Sequence, residues 1–131
     1  MDVAHALAEL TELSSHVERA VVLDAGGTVL GSTPADGGAR EALARSALDL
    51  VAAARDLRSS AGEVTRVEVE LAEGALFVIR EGDRMIAATT GPRPTAGLVA
   101  YDLRTCLHGI DEGEKPKRRR TLREPQEEEA E

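Results

Sequence analysis

The chain has 131 residues, enough for one domain, and its 16 basic against 24 acidic side chains give a net charge of -8, a sign that opposes adventitious binding to nucleic acid or anionic lipid. One Phe, one Tyr and no Trp leave almost no aromatic faces on which bases or sugars could stack. The single cysteine, Cys106, excludes an internal disulfide; with no basic-then-apolar leader and no apolar run near the roughly 18 residues of a membrane span, a cytoplasmic protein is expected.

The spacing predicts a helix over residues 2 to 17, with Val3, Ala6, Leu7, Leu10, Leu13 and Val17 on one stripe and Asp2 as the N-cap. Residues 19 to 32 read as a hairpin: Ala20-Val21-Val22-Leu23, a turn at Ala25-Gly26-Gly27, and a return through Thr28-Val29-Leu30. After a loop over 33 to 38, a long helix is expected at about 39 to 58. Leu43, Ala47, Leu50, Val51, Ala54 and Leu57 form its apolar face, Ala42, Ser46, Asp49 and Ala53 a second face of mostly small residues, and Gly62 a candidate cap beyond its end.

Residues 64 to 71 alternate strictly, Val67, Val69 and Leu71 against Arg66, Glu68 and Glu70, which predicts a half-buried strand. Turns at Glu73-Gly74 and Glu81-Gly82-Asp83 separate two further strands, Leu76-Phe77-Val78-Ile79 and Met85 to Thr89. Gly91-Pro92-Arg93-Pro94 breaks the sheet. A last helix, about 96 to 109 and capped by Thr95, turns Leu98, Val99, Leu103, Cys106, Leu107 and Ile110 to the core.

The order αββαβββα predicts an α+β domain over residues 1–112: one five-stranded antiparallel sheet with helices packed on it. Residues 113–131 hold six basic and six acidic groups, two prolines and one large aliphatic residue. Such a segment buries too little surface to offset chain entropy, so a disordered charged tail is expected. The whole charge of -8 then belongs to residues 1–112.

Few residues carry a chemical signal. Cys106 and His108 lie two apart, so on a helix they point in different directions, and Cys106 falls on the apolar stripe. His5, His16, His108 and Cys106 lack paired zinc-ligand spacing. The Gly26-Gly27 and Gly37-Gly38 pairs form no nucleotide fingerprint, and nothing selects a carboxylate pair among Asp24, Glu68, Glu70, Asp83 and Asp102. No catalytic, cofactor-binding or metal-binding residue is therefore expected. The tail carries one sharp feature, the basic patch Lys115, Lys117, Arg118, Arg119 and Arg120. It can meet an acidic surface, or act with Glu127-Glu128-Glu129 as a solubilising polyampholyte; Thr121 behind three arginines resembles a basophilic kinase site.

The element order, with the hairpin Ala20 to Ser32, the meander Val67 to Thr90 and the helix Leu98 to Leu107, resembles the Roadblock/LC7 family, a profilin-like fold, over about residues 3 to 110. The resemblance implies a homodimer or a heterodimer with a paralogous Roadblock protein. In it the second helix packs antiparallel to its mate and the third strand pairs with its mate into one continuous sheet. Ala42, Ser46, Asp49 and Ala53 would form the helical contact, and Arg66, Glu68 and Glu70 the strand contact, with Arg66 facing Glu68 or Glu70 of the mate. Bacterial members act beside Ras-like small GTPases as regulators or scaffolds, so the resemblance implies a non-catalytic interaction module in a signalling system. This chain has no G-x-x-x-x-G-K-[ST] loop of its own. The alternative is a profilin- or PAS-like small-molecule sensor, which needs a roomy pocket with convergent polar groups.

Overall fold

A computed structural model describes residues 1–35, 37–57 and 64–110. The elements are α1 (Val3–Leu13), β1 (Val17–Asp24), β2 (Val29–Thr33), α2 (Gly37–Arg55), β3 (Arg66–Leu71), β4 (Gly74–Glu81), β5 (Arg84–Thr90) and α3 (Ala96–Gly109). Their order is the expected αββαβββα. The five strands form one antiparallel sheet in the order β2-β1-β5-β4-β3, so the first hairpin and the later meander join where β1 pairs with β5.

Strand alternation sorts the side chains into two cores. Ala20, Val22, Phe77, Ile79, Ile86 and Ala88 project to one face and pack on Leu7 and Leu10 of α1 and Val99, Leu103 and Leu107 of α3. Val21, Leu23, Val78, Met85 and Ala87 project to the other and pack on Leu43, Ala44, Ala47 and Val51 of α2. The inner strands are covered on both faces, which is why Ala20-Val21-Val22-Leu23 is a continuous apolar run rather than an alternation. Each of the largest fully buried side chains, Phe77 among them, contributes about 1.5–3 kcal/mol of transfer free energy.

Local chemistry fixes the turns. Asp24 Oδ1 accepts from the amides of Gly26 and Thr28, each at 2.9 Å. The Asp24 amide donates to the Thr28 carbonyl at 3.0 Å, and Gly27 takes φ +90°, which a side chain would oppose. At the start of β4, a Cβ on Gly74 would overlap the Thr90 carbonyl oxygen of β5. Glycine is required there for the two strands to close.

Several expectations need correction. Asp2 caps α1, its Oδ1 accepting from the His5 amide at 2.8 Å, but the helix stops at Leu13 because Ser14 is extended (φ -107°, ψ 117°). Leu13 is consequently 70% exposed and Val17 opens β1; its helical phase with Leu13 is coincidental. The second helix begins at Gly37 rather than 39, and its buried stripe is Leu43, Ala44, Ala47 and Val51, with Leu57 80% exposed. Thr95 sits at the N-cap of α3 without a side-chain cap bond, and Leu98 is half exposed while Ala100 takes the buried position. Gly62, the tail 113–131 with its basic patch, and Thr121 lie outside the described residues.

Candidate interaction surface

The sheet is covered unequally. Two helices lie against one face and a single helix against the other. Five strands about 4.8 Å apart span roughly 20 Å or more, whereas a helix with its side chains is about 10 Å wide. A lone α2 therefore cannot cover its face. The uncovered part lies toward β3, where register places Val67 opposite Val78, Val69 opposite Leu76 and Leu71 opposite Gly74. Val67 and Val69 are half-buried and Leu71 is 60% exposed.

Between this strip and α2 runs an open groove of about 430 Å³, lined mainly by apolar atoms from Ala42, Leu43, Ser46, Leu71, Leu76 and Thr89. The small residues Ala42, Ser46, Asp49 and Ala53 are all exposed along α2, with Ala42 and Ser46 at the groove. The strip at Leu71 is a part of the surface that the sequence reading missed. Alternation marks Leu71 as apolar-facing, but only the single-helix cover leaves it open.

The outer edge of β3 is an end of the sheet. Its polarity follows from one bond: the Thr65 carbonyl accepts from the Arg80 amide at 3.0 Å. In an antiparallel strand the N–H and C=O of one residue share a side, and successive residues alternate. The backbone groups of residues 65, 67, 69 and 71 therefore aim at β4, and those of Arg66, Glu68 and Glu70 aim outward. The side chains of these three lie on the α1/α3 face of the sheet, opposite Ile79, Phe77 and Ala75. Arg66 donates to Glu68 of its own strand, Nε to Oε2 at 2.6 Å, with a second contact from its terminal nitrogen. So the structure gathers Arg66, Glu68 and Glu70 on one exposed edge and Ala42, Ser46, Asp49 and Ala53 on one exposed helix face.

Among the described residues, the remaining titratable groups form no second site. Glu81 accepts from Arg104 Nε at 3.1 Å and lies 3.0 Å from His108 Nε2. The hydrogen bond from His108, followed by the Arg104 contacts, holds its carboxyl below the usual carboxylate range. These partners lie 23 and 27 residues from Glu81 in sequence, so no local pattern announces them. Cys106 is buried on α3 and burial pushes its thiol up to about 11, whereas the His108 side chain is 64% exposed. The two do not form a nucleophile–base pair. Among the described residues no group of three or more His, Cys, Asp or Glu could hold a metal ion. No helix among them is long and apolar enough to cross a membrane.

A five-stranded antiparallel sheet in the order β2-β1-β5-β4-β3, with two helices on one face and one on the other, is an α+β sandwich. The Roadblock/LC7 domain family model matches residues 4–90, and the chain belongs to that family. Its fold is similar to that of a Roadblock/LC7 domain from Streptomyces avermitilis: TM-score 0.72 and 23% identity, covering 82% of this chain and 93% of that one. It is similar also to the gliding protein MglB of Thermus thermophilus, with TM-score 0.67 and 15% identity over 79% of this chain and 82% of that one. For MglB of Myxococcus xanthus the values are TM-score 0.66 and 18% identity over 79% and 87%. No curated protein matches the sequence.

Proposed function

We propose that this domain is a non-catalytic, dimeric interaction module that regulates or scaffolds a Ras-like small GTPase in a bacterial signalling system, in the cytoplasm. The observation that carries the reading is the incompletely covered α2 face beside an open β3 edge. A second copy, or a paralogous Roadblock protein, would lay its own α2 beside Ala42, Ser46, Asp49 and Ala53 and extend the sheet through β3. The small side chains allow close approach of helix backbones, and covering Leu71 removes apolar surface from water. Family membership and the likeness to MglB proteins support the GTPase as partner. In this reading the module contributes no reacting group and acts by positioning the switch loops of the GTPase. The groove is open and mainly apolar, a form that suits a helix from a second chain better than the enclosed, polar-studded site of a small-molecule sensor.

Light scattering on the full chain and on a chain ending at Glu112 tests the assembly. A mass of twice the monomer in both is expected, and a monomer in both would remove the platform for the GTPase. GTP hydrolysis by a Ras-like GTPase, measured with and without the domain, then tests the partner. A changed rate or a nucleotide-dependent complex supports the reading, and the absence of both overturns it.

A further inference from the structure

We infer that the charged edge of β3 fixes the register of a pairing between two copies of this chain, with Glu68 on the two-fold axis and Arg66 facing Glu70 of the mate. The inference rests on the dimeric reading above and goes beyond it by naming the pairing and what enforces it.

Two identical edge strands pair antiparallel about an axis perpendicular to the sheet. That axis keeps both α2 helices on one side and sets even-numbered residues opposite even-numbered ones. Because Arg66, Glu68 and Glu70 present their backbone groups outward, these three residues exchange the new hydrogen bonds. The register is then set by the residue on the axis. With Val69 there, Glu68 faces Glu70 twice and Arg66 faces no acid, which like-charge repulsion disfavours. With Val67 there, Arg66 faces Glu68, but Val69 meets only Thr65 and Glu70 meets Val64, so the end of β3 is paired outside the strand. With Glu68 on the axis, residues 66 to 70 pair wholly within β3. Arg66 then faces Glu70 twice and Val67 faces Val69 twice on the groove side. The one unfavourable pair, Glu68 against Glu68, is offset by the Arg66 guanidinium that each carboxylate already holds at 2.6 Å.

The test uses the full chain with Arg66→Glu and Glu70→Arg, separately, mixed, and combined in one chain, read by native mass spectrometry and light scattering. In each single variant both facing pairs become like-charged. Dimer dissociation constants are expected to rise about tenfold or more. Mixing the two single variants is expected to give the heterodimer in preference to either homodimer, because every facing pair is again opposite in sign. The doubly substituted chain is expected to regain the wild-type constant, which guards against misfolding of a single variant. A wild-type dimer that Glu70→Arg leaves intact, or one in which Glu68→Arg rather than Glu70→Arg rescues Arg66→Glu, would overturn the register while leaving the dimer standing. A monomeric wild type would instead remove the dimeric reading itself.

Discussion

Asp24 does the work of a whole turn. One carboxylate oxygen accepts from two amides, those of Gly26 and Thr28, while the Asp24 main chain bonds to Thr28. Asp24→Ala leaves these amides to water and frees the hairpin connection. A loss of about 1–2 kcal/mol is expected, read as a lower urea midpoint with unchanged slope. Cys106 makes a contrasting point. Only the thiolate reacts, and burial pushes this thiol up to about 11. Ellman's reagent is expected to leave native Cys106 almost untouched at neutral pH and to label it rapidly in denaturant. Fast labelling of the native chain would mean that the α1–α3 seam opens.

At the scale of elements, the legible and the illegible divide along physical lines. All eight elements could be read in order, because apolar period and glycine turns are local properties of the chain. The hairpin at Gly26-Gly27 and the half-wet β3 are the clearest cases. Where an element ends was less legible. α1 stops at Leu13 because Ser14 turns extended, although Val17 continues the helical spacing. The stripe of α2 runs through Ala44 rather than Leu50 and Leu57, since burial depends on which turn of the helix crosses the sheet. Leu98 and Leu57, apolar yet exposed, show that side-chain character alone does not place a residue inside. The Arg66–Glu68–Glu70 edge was readable from strict alternation, and the small face of α2 from spacing. The open strip at Leu71 was not, because it depends on the width of a sheet against one helix. An element-scale prediction follows for α2: Ala53→Arg places a long charged side chain on the exposed small face. It is expected to leave circular dichroism nearly unchanged while shifting the mass toward monomer and making the thermal midpoint independent of protein concentration. An unchanged mass would show that the helices do not meet at that face.

Across the whole molecule, the Glu81–Arg104–His108 cluster ties β4 to α3 at the surface. Glu81 titrates below its ordinary value of 4.5, chiefly through the His108 hydrogen bond. A depressed carboxylate adds stability above the ordinary value and loses it as pH falls through the lowered one. The wild type is therefore expected to lose more stability than Glu81→Gln between about pH 5 and pH 3. Urea midpoints at both pH values measure the difference; parallel losses would show that the cluster adds nothing to the fold. Exposed pairs of this kind are worth little individually, so the effect should be small and should fade in high salt.

The far edge of the sheet carries a consequence for how large an assembly can grow. β2 is followed at once by Pro34 and pairs to β1 through an irregular register between Val22 and Leu23. Proline-flanked, kinked edges are poor templates for another strand. A chain with two equally sticky edges would propagate into fibres. This one offers a regular, charge-coded edge on one side and a blunt one on the other, so a sheet joined through β3 ends in two blunt rims and goes no further.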